Sequence, residues 1–445
     1  MPLSLPEVVG HFKADVAKAL SAEWIEKACR ALGITFRRRL LDPVTLCHVF
    51  LLQILHGNNA CTGLPHLCGL TFSAAAYCKA RARLPLALFQ WLLERVVDAL
   101  SGETQSTGLW RGHRTWLLDG SSFSRPDTPE LQQHFGQPGN QKKGCGFPVA
   151  HVLALFHAGT GFLQHAIASP LRTHDLTHAR LLHDELLPGD LLVGDRGFAS
   201  YVHLAQLFLR ELHGLWRGHQ RQIVHFRAGR RHAKQRVGWP RTRWLKRLGR
   251  YDQLVEYTKP TKPPKGRSQA DYDALPDTLV LRELRYWTSK RGCRTKVITL
   301  VTTLLDAEVY PAKELAALYG QRWQVELNLR HLKTTMRLDV LHCQTVDGVL
   351  KELTLFALAY NLVRLVLLEA SRRQGEPLDR MSFVDALRWL RTAEPGTPLP
   401  KLVVNPLRSY RFEPRVVKRR PKPYPRMTKP RATLRKQLAG KRHAA

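Results

Sequence analysis

The sequence predicts an α/β fold in which a mixed sheet is preceded by helices, interrupted by a basic β-rich insertion and closed by further helices. Three observations carry this prediction. Apolar residues recur at helical spacing through 1–110, short apolar runs alternate with helical stretches through 111–211, and strand patterns rich in Lys and Arg fill 212–311. The 445 residues, 44% of them apolar, suffice for two or three domains and a sizeable core.

In 1–110, "PVTLCHVFLLQILHG" and "LPLALFQWLLERVVDAL" read as helices, with the short basic "SAAAYCKARARL" between them. This pattern fits a helix-turn-helix unit that reads DNA, and a plain bundle with a basic face fits it nearly as well. The basicity of the whole chain tips the choice toward DNA. Cys61, His66, Cys68 and Cys78 tempt a zinc reading, but the spacing matches no common structural-zinc pattern and the chain has no CxxC pair. Reduced, partly buried thiols are the better reading.

The span 111–211 opens with "RTWLLDGSSF", a short apolar run that ends on Asp119 before a Gly-Ser-Ser turn. "FPVAHVLALFHAGTGFLQHAIAS" reads as a hairpin, "THARLLHDELL" as a helix, and "GDLLVGDRGF" as a buried strand ending on Asp195. "YVHLAQLFLREL" is helical again, so the order suits a mixed sheet. Asp175, in "RTHDLTHA", is read as the cap of the helix that follows it.

The insertion, 212–311, carries "DQLVEYT", "LVLRELRYW" and "KVITLVTTL", separated by the Pro- and Lys-rich "KPTKPPKGRSQ". Residues 312–395 return to helix. Their most apolar stretch, "LTLFALAYNLVRLVLLEA", is interrupted by Asn361, Arg364 and Glu369 and suits a buried helix better than a membrane span. The tail, 396–445, is rich in Pro, Lys and Arg and is expected to be disordered until it meets DNA.

Charge narrows the partner. The formal net charge is +33, from 69 basic and 36 acidic residues. Leu212–Arg250 and Pro414–Ala445 each hold 12 Lys or Arg and no acid, so these two stretches supply 24 of the 33 net charges. Such blocks are footprints for a polyanion, and neither has the clear apolar face that a membrane-surface helix needs. Double-stranded DNA is the expected partner. The N-terminus shows no charged start followed by an apolar run, so the expected compartment is the cytoplasm.

Chemistry centres on carboxylates. Asp119 and Asp195 each end a short strand, where catalytic groups of open α/β sheets gather. Each alone is more often a turn or cap residue. Glu326 lies in "YGQRWQVELNLRHLK", where Tyr319, Arg322, Glu326 and Lys333 fall within roughly a 60° arc of one amphipathic helix at ~100° per residue. Taken alone that face could be a solvated one knitted by an i, i+4 ion pair. Three acids sharing one site repel one another unless cations offset them, which suits Mg²⁺ and in-line phosphodiester chemistry. Arg322 and Lys333 then reach DNA phosphates, and Tyr319 contacts phosphate or stacks.

Tyr, two residues, Arg, three residues, Glu, six residues, Lys is the signature of the bacterial IS4-family DDE transposases, and Tyr319, Arg322, Glu326 and Lys333 match it in full. "LLDGSSF" and "VGDRGF" resemble the family's first and second Asp motifs, so the resemblance spans roughly 115–370. It implies a ribonuclease-H-like core with a β insertion between Asp195 and Glu326. Asp119, Asp195 and Glu326 would bind two Mg²⁺, with Mn²⁺ able to substitute, while Tyr319, Arg322 and Lys333 hold the transposon end. The resemblance also implies cut-and-paste transposition: a freed 3′-hydroxyl attacks the opposite strand, as a hairpin, and later the target. The enzyme would act as a synaptic homodimer in the bacterial cytoplasm, associated with the nucleoid. Some members stack a flipped base on tryptophan; Trp287 and Trp323 are the candidates here, with core packing the competing reading for each. A Mg²⁺-dependent nuclease without strand transfer and a non-catalytic DNA-binding regulator are the rival functions.

Overall fold

The protein is described from a computed structural model covering residues 5–442 apart from 140, 172–174, 220, 230–238, 265–266, 289–296 and 408–426. Helices α1 (Leu5–Gly10), α2 (Ala14–Ala19), α3 (Ala22–Ala31), α4 (Pro43–Leu55), α5 (Leu64–Cys68), α6 (Ala74–Arg83) and α7 (Leu86–Ser106) precede the first strand. The first half of the sheet follows: β1 (Thr115–Ser124), α8 (Pro129–Phe135), β2 (Val149–His157), β3 (Leu163–Pro170), α9 (Asp175–Leu182), β4 (Leu191–Gly194), α10 (Tyr201–Leu209) and β5 (His213–Arg217). Next come β6 (Arg241–Gly249), β7 (Asp252–Thr258), α11 (Gln269–Asp273), β8 (Thr278–Trp287) and β9 (Val297–Thr302). The chain closes with α12 (Ala312–Gln321), α13 (Trp323–Arg330), α14 (Val346–Gln374), α15 (Phe383–Thr392) and α16 (Arg431–Arg442).

The strands form one mixed sheet in the order β3-β2-β1-β4-β5-β9-β8-β7-β6. The β1–β4 and β4–β5 pairs are parallel, and the other pairs are antiparallel. The expected mixed α/β architecture is therefore present. The β-rich insertion is less separate than its composition suggests. Its span includes β5, which pairs with β4, and β9 returns to pair with β5, so the basic strands extend the same sheet. Backbone hydrogen bonding across β5 and β9 leaves no sheet edge at which an independent layer could begin.

Alternation along β1 divides the core. Trp116 and Leu118 point into the layer beneath α9 and α10, while Leu117 and Phe123 join the larger core on the other face. That larger core also holds α4, α7 and α14 residues such as Phe50, Phe89, Leu92, Phe356 and Leu362. The N-terminal helices thus share one hydrophobic core with the sheet. Within the basic helix α6, Arg81 turns inward: it donates to Gln53 at 3.1 Å and to the Cys343 sulfur at 3.1 Å. This cation of the basic helix holds α6 to α4 and to the segment before α14.

Helix α14 is long and apolar enough to cross a membrane, yet 83% of its apolar window is buried inside the fold. The polar residues that break its apolar run have structural work. Asn361 accepts from Leu163 N and donates to Leu163 O, both at 2.8 Å, and Arg364 Nε donates to Thr160 O at 2.9 Å. Both clamp the β2–β3 hairpin, where Gly161 has φ +71° and a Cβ would strike the Arg364 guanidinium. The tail also departs from expectation, because residues 431–442 form α16, anchored at its start: Arg431 stacks over Phe147 at 3.7 Å and, with Arg435, approaches Asp127 at 3.7 and 3.6 Å.

Candidate active site

Asp119 does not end its strand. Its Gly-Ser-Ser sequel continues β1 and pairs with Leu153, Val152 and His151 of β2. What ends is the neighbour, because the parallel pairing of β1 with β4 stops at Leu118 opposite Gly194, and the next residues are Asp119 and Asp195. Adjacent strands lie about 4.8 Å apart, so the two acids emerge side by side where β4 leaves the sheet. Gly194 is required there, since a Cβ would lie 2.3 Å from the Trp216 ring on β5.

Each acid is held by backbone. Asp119 Oδ1 accepts from Gly120 N at 2.8 Å, and Asp195 Oδ1 accepts from Gly197 N at 2.6 Å, capping a short turn over Arg196–Phe198. Capping and site membership are compatible for Asp195, because a carboxylate has a second oxygen. Beneath that turn, His203 Nδ1 donates to Phe198 O at 2.9 Å, and its Nε2 meets His183 Nε2 at 2.9 Å in a buried, stacked pair.

Glu326 arrives from α13, which packs on β1. The single helix expected from Tyr319 to Lys333 is three pieces. Chain order runs from α12 through a turn at Arg322 into α13 and then a π-helical turn over His331–Thr335. A π turn takes more residues than an α turn, so uniform spacing cannot be extrapolated to Lys333. Contact with β1 is kept nevertheless: Lys333 Nζ donates to Ser122 O at 2.8 Å and sits 5.0 Å from the Phe123 ring. Arg322 Nη2 bonds Glu326 Oε1 at 2.8 Å, and its Nη1 lies 3.7 Å from Asp119 Oδ2. Tyr319 is buried under this guanidinium, 6.0 Å from its ring centroid, rather than presented to solvent.

Electrostatics tie the three acids together. Burial pushes the Asp119 carboxyl up to about 6; the Gly120 N–H and Arg322 pull the other way, and Asp195 and Glu326 add to the rise. Burial likewise raises Tyr319 above the usual phenol range, with Arg322 and Arg217 opposing and Asp195 adding. Arg217, at the end of β5, and His219, whose proton affinity burial and Arg196 lower while Asp195 raises it, therefore join this neighbourhood. The sequence offered no motif for either; only the β4–β5 pairing brings them in.

Divalent metal fits the chemistry of this donor set. The donors are hard carboxylate oxygens, burial together with the neighbouring acids pushes Asp119 toward protonation, and the Arg322 cation pairs with two of the three acids. Among the described residues no three His, Cys, Asp or Glu side chains form a ready metal cage, Cys61, His66, Cys68 and Cys78 included. Trp287 and Trp323, the tryptophans singled out in the sequence, are 53% and 59% exposed, so core packing accounts for neither; Trp287 lies edge-on to Tyr251 at 4.5 Å. The Asp175 side chain lies outside the described residues.

A family model described as "Transposase DDE domain" matches residues 110–362, more than half of the chain. The chain belongs to the DDE transposases. The match spans all three acids and the Tyr319 to Lys333 segment. The transposase is 26% identical over 335 residues to "Transposase InsG for insertion sequence element IS4" of Escherichia coli (strain K12), covering 71% of this chain and 70% of that protein. It is 29% identical over 196 residues to "Putative transposase InsZ" of the same organism, covering 41% of this chain and 64% of that protein. Among solved structures, a piggyBac transposase synaptic complex with hairpin DNA aligns over 88% of this chain and 79% of that chain, with TM-score 0.46 and 11% identity. The IS4-family resemblance is borne out, and with it a DNA transposase whose catalysis depends on a divalent metal.

Proposed function

We propose that this transposase cuts at the terminal inverted repeats of its own insertion sequence and joins the freed 3′-hydroxyl to target DNA, using Asp119, Asp195 and Glu326 as its catalytic acids. The observation that carries this reading is the meeting of β1 and α13 around one guanidinium, with Arg322 bonded to Glu326 and near Asp119, while Asp195 emerges beside Asp119 at the end of β4. The strand order β3-β2-β1-β4-β5, with its first three strands antiparallel and the next two pairings parallel, supports a ribonuclease-H-like core.

Asp119, Asp195 and Glu326 would hold Mg²⁺, two ions in this reading and replaceable by Mn²⁺, which when bound would activate the attacking oxygen and stabilise the leaving one. Arg322, released from the acids, takes a phosphate oxygen through its forked donors. Lys333 adds a point charge beside β1, and Tyr319 fixes the Arg322 position from beneath. Trp287 and Trp323, both exposed, are the base-stacking residues in this reading. Cutting both ends together calls for a homodimer acting on DNA in the bacterial cytoplasm, at the nucleoid.

The test uses purified protein and a linear duplex carrying the gene's flanking DNA, with and without Mg²⁺, wild type beside Glu326→Gln, with every new 3′ end mapped. Cleavage at one boundary, lost without metal and in the variant, is the expected result. Unchanged cleavage by the variant removes Glu326 from the site. Scattered nicks would instead mark a nuclease, and metal-independent binding without nicking a regulator.

A further inference from the structure

Seven cysteines fall among the described residues, and five of them, Cys29, Cys47, Cys68, Cys145 and Cys343, are buried. Cys78 is exposed on α6, Cys61 is half-buried at the start of a turn over Cys61–Gly63, and their sulfurs lie 3.6 Å apart. The most accessible thiol therefore has a second thiol beside it. Both are held from the same side chain. Gln53 Nε2 lies 3.9 Å from the Cys61 sulfur, while Gln53 Oε1 accepts from Tyr77 at 2.9 Å and from Arg81 at 3.1 Å, fixing α6 on either side of Cys78. Neither the transposase chemistry nor the candidate active site uses this pair.

We propose that Cys61 and Cys78 are a reversible oxidation site, in which a hydroperoxide converts the exposed and the neighbouring thiol into one intramolecular disulfide. Cys78 reacts first, because it meets solvent and because burial pushes the Cys61 thiol up to about 11, against the opposing pull of Arg81. The Cys78 sulfur attacks the peroxide: an S–O bond forms, the O–O bond breaks, and water (an alcohol, from an organic hydroperoxide) leaves with the thiol proton. Cys61 then attacks that sulfur: the S–S bond forms, the S–O bond breaks, and a second water carries off the Cys61 proton. Two thiols lose two electrons and the peroxide gains them. The product ties the Cys61–Gly63 turn to the middle of α6, the helix that also exposes Lys79 and Arg83.

The experiment treats full-length protein with mild hydrogen peroxide, then measures intact mass and maps peptides without reduction, wild type beside Cys78→Ser and Cys61→Ser. Wild type should lose the mass of two hydrogens, yield a linked Cys61–Cys78 peptide, melt at a higher temperature and revert with dithiothreitol. Cys61→Ser should instead hold a sulfenic acid on Cys78 that a cyclic 1,3-dione traps. The proposal is overturned if wild type gives sulfinic acid on Cys78 without the linked peptide, or if Cys78 pairs with another cysteine or another chain. Circular dichroism of the serine variants, whose positions are exposed or half-buried, separates misfolding from loss of the bond.

Discussion

Arg322 donates to Glu326 at 2.8 Å across one helical turn, so one of the three proposed catalytic acids already has a cation beside it before metal arrives. The same guanidinium lies 3.7 Å from Asp119, which makes it a resident counterion of the cluster. Metal must therefore displace a charge-assisted hydrogen bond. Arg322→Ala should bind Mn²⁺ about tenfold more tightly in the absence of DNA, the equivalent of about 1.4 kcal/mol. DNA cleavage should nonetheless fall. Calorimetric titration checks the first part, and equal or weaker metal binding would remove the counterion role.

Asp119 also affects stability. Its folded-state carboxyl is raised to about 6, so the folded chain keeps a proton that the unfolded chain releases near the ordinary value of 3.8. The stability it lends is complete below that ordinary value and is lost as pH rises through about 6. Above that, the ionised group costs at most about 3 kcal/mol in chelator. Asp119→Asn should then be more stable than wild type at neutral pH in EDTA, with the difference closing toward pH ~4 and narrowing when Mg²⁺ is added. Urea unfolding at the two pH values decides it.

His203 works with the opposite sign. Burial lowers its proton affinity from the ordinary 6.5 to about 4, so the folded state resists the proton that the unfolded chain takes. Its stability contribution is present above 6.5 and is lost as pH falls through about 4. His203→Gln should lose up to about 3 kcal/mol less than wild type between neutral pH and pH ~4. Because His203 carries the Phe198 carbonyl beneath the Asp195 turn, the variant should also shift the pH profile of cleavage.

Arg282 joins the basic strands to the site. It is fully buried on β8, pairs with Asp252 through two bonds of 2.8 and 2.5 Å, and donates to Tyr310 O at 2.7 Å, just before α12 begins. Arg282→Ala leaves Asp252 without its partner and should cost about 3–5 kcal/mol. Arg282→Met with Asp252→Asn should recover most of that loss. Thermal unfolding of both variants measures it.

The sequence made the acids legible because strand ends and a spaced polar motif are local patterns. Asp119 illustrates the limit: its register beyond β4 depends on a pairing with residues more than seventy positions away, which local texture cannot report. Arg81 and Arg364 illustrate another. Neither shows its partner locally; tertiary packing supplies Gln53 and Cys343 for Arg81 and Thr160 for Arg364. The break at Arg322 and the π turn over His331–Thr335, which holds Lys333, were equally hidden, since neither position holds a Pro or Gly.

Because α4 and α7 complete their packing only against α14, the first helices to leave the ribosome wait for nearly the whole chain before their apolar faces are covered. A gene copy interrupted anywhere upstream of residue 346 therefore encodes a polypeptide without the helix that covers one side of α4 and α7.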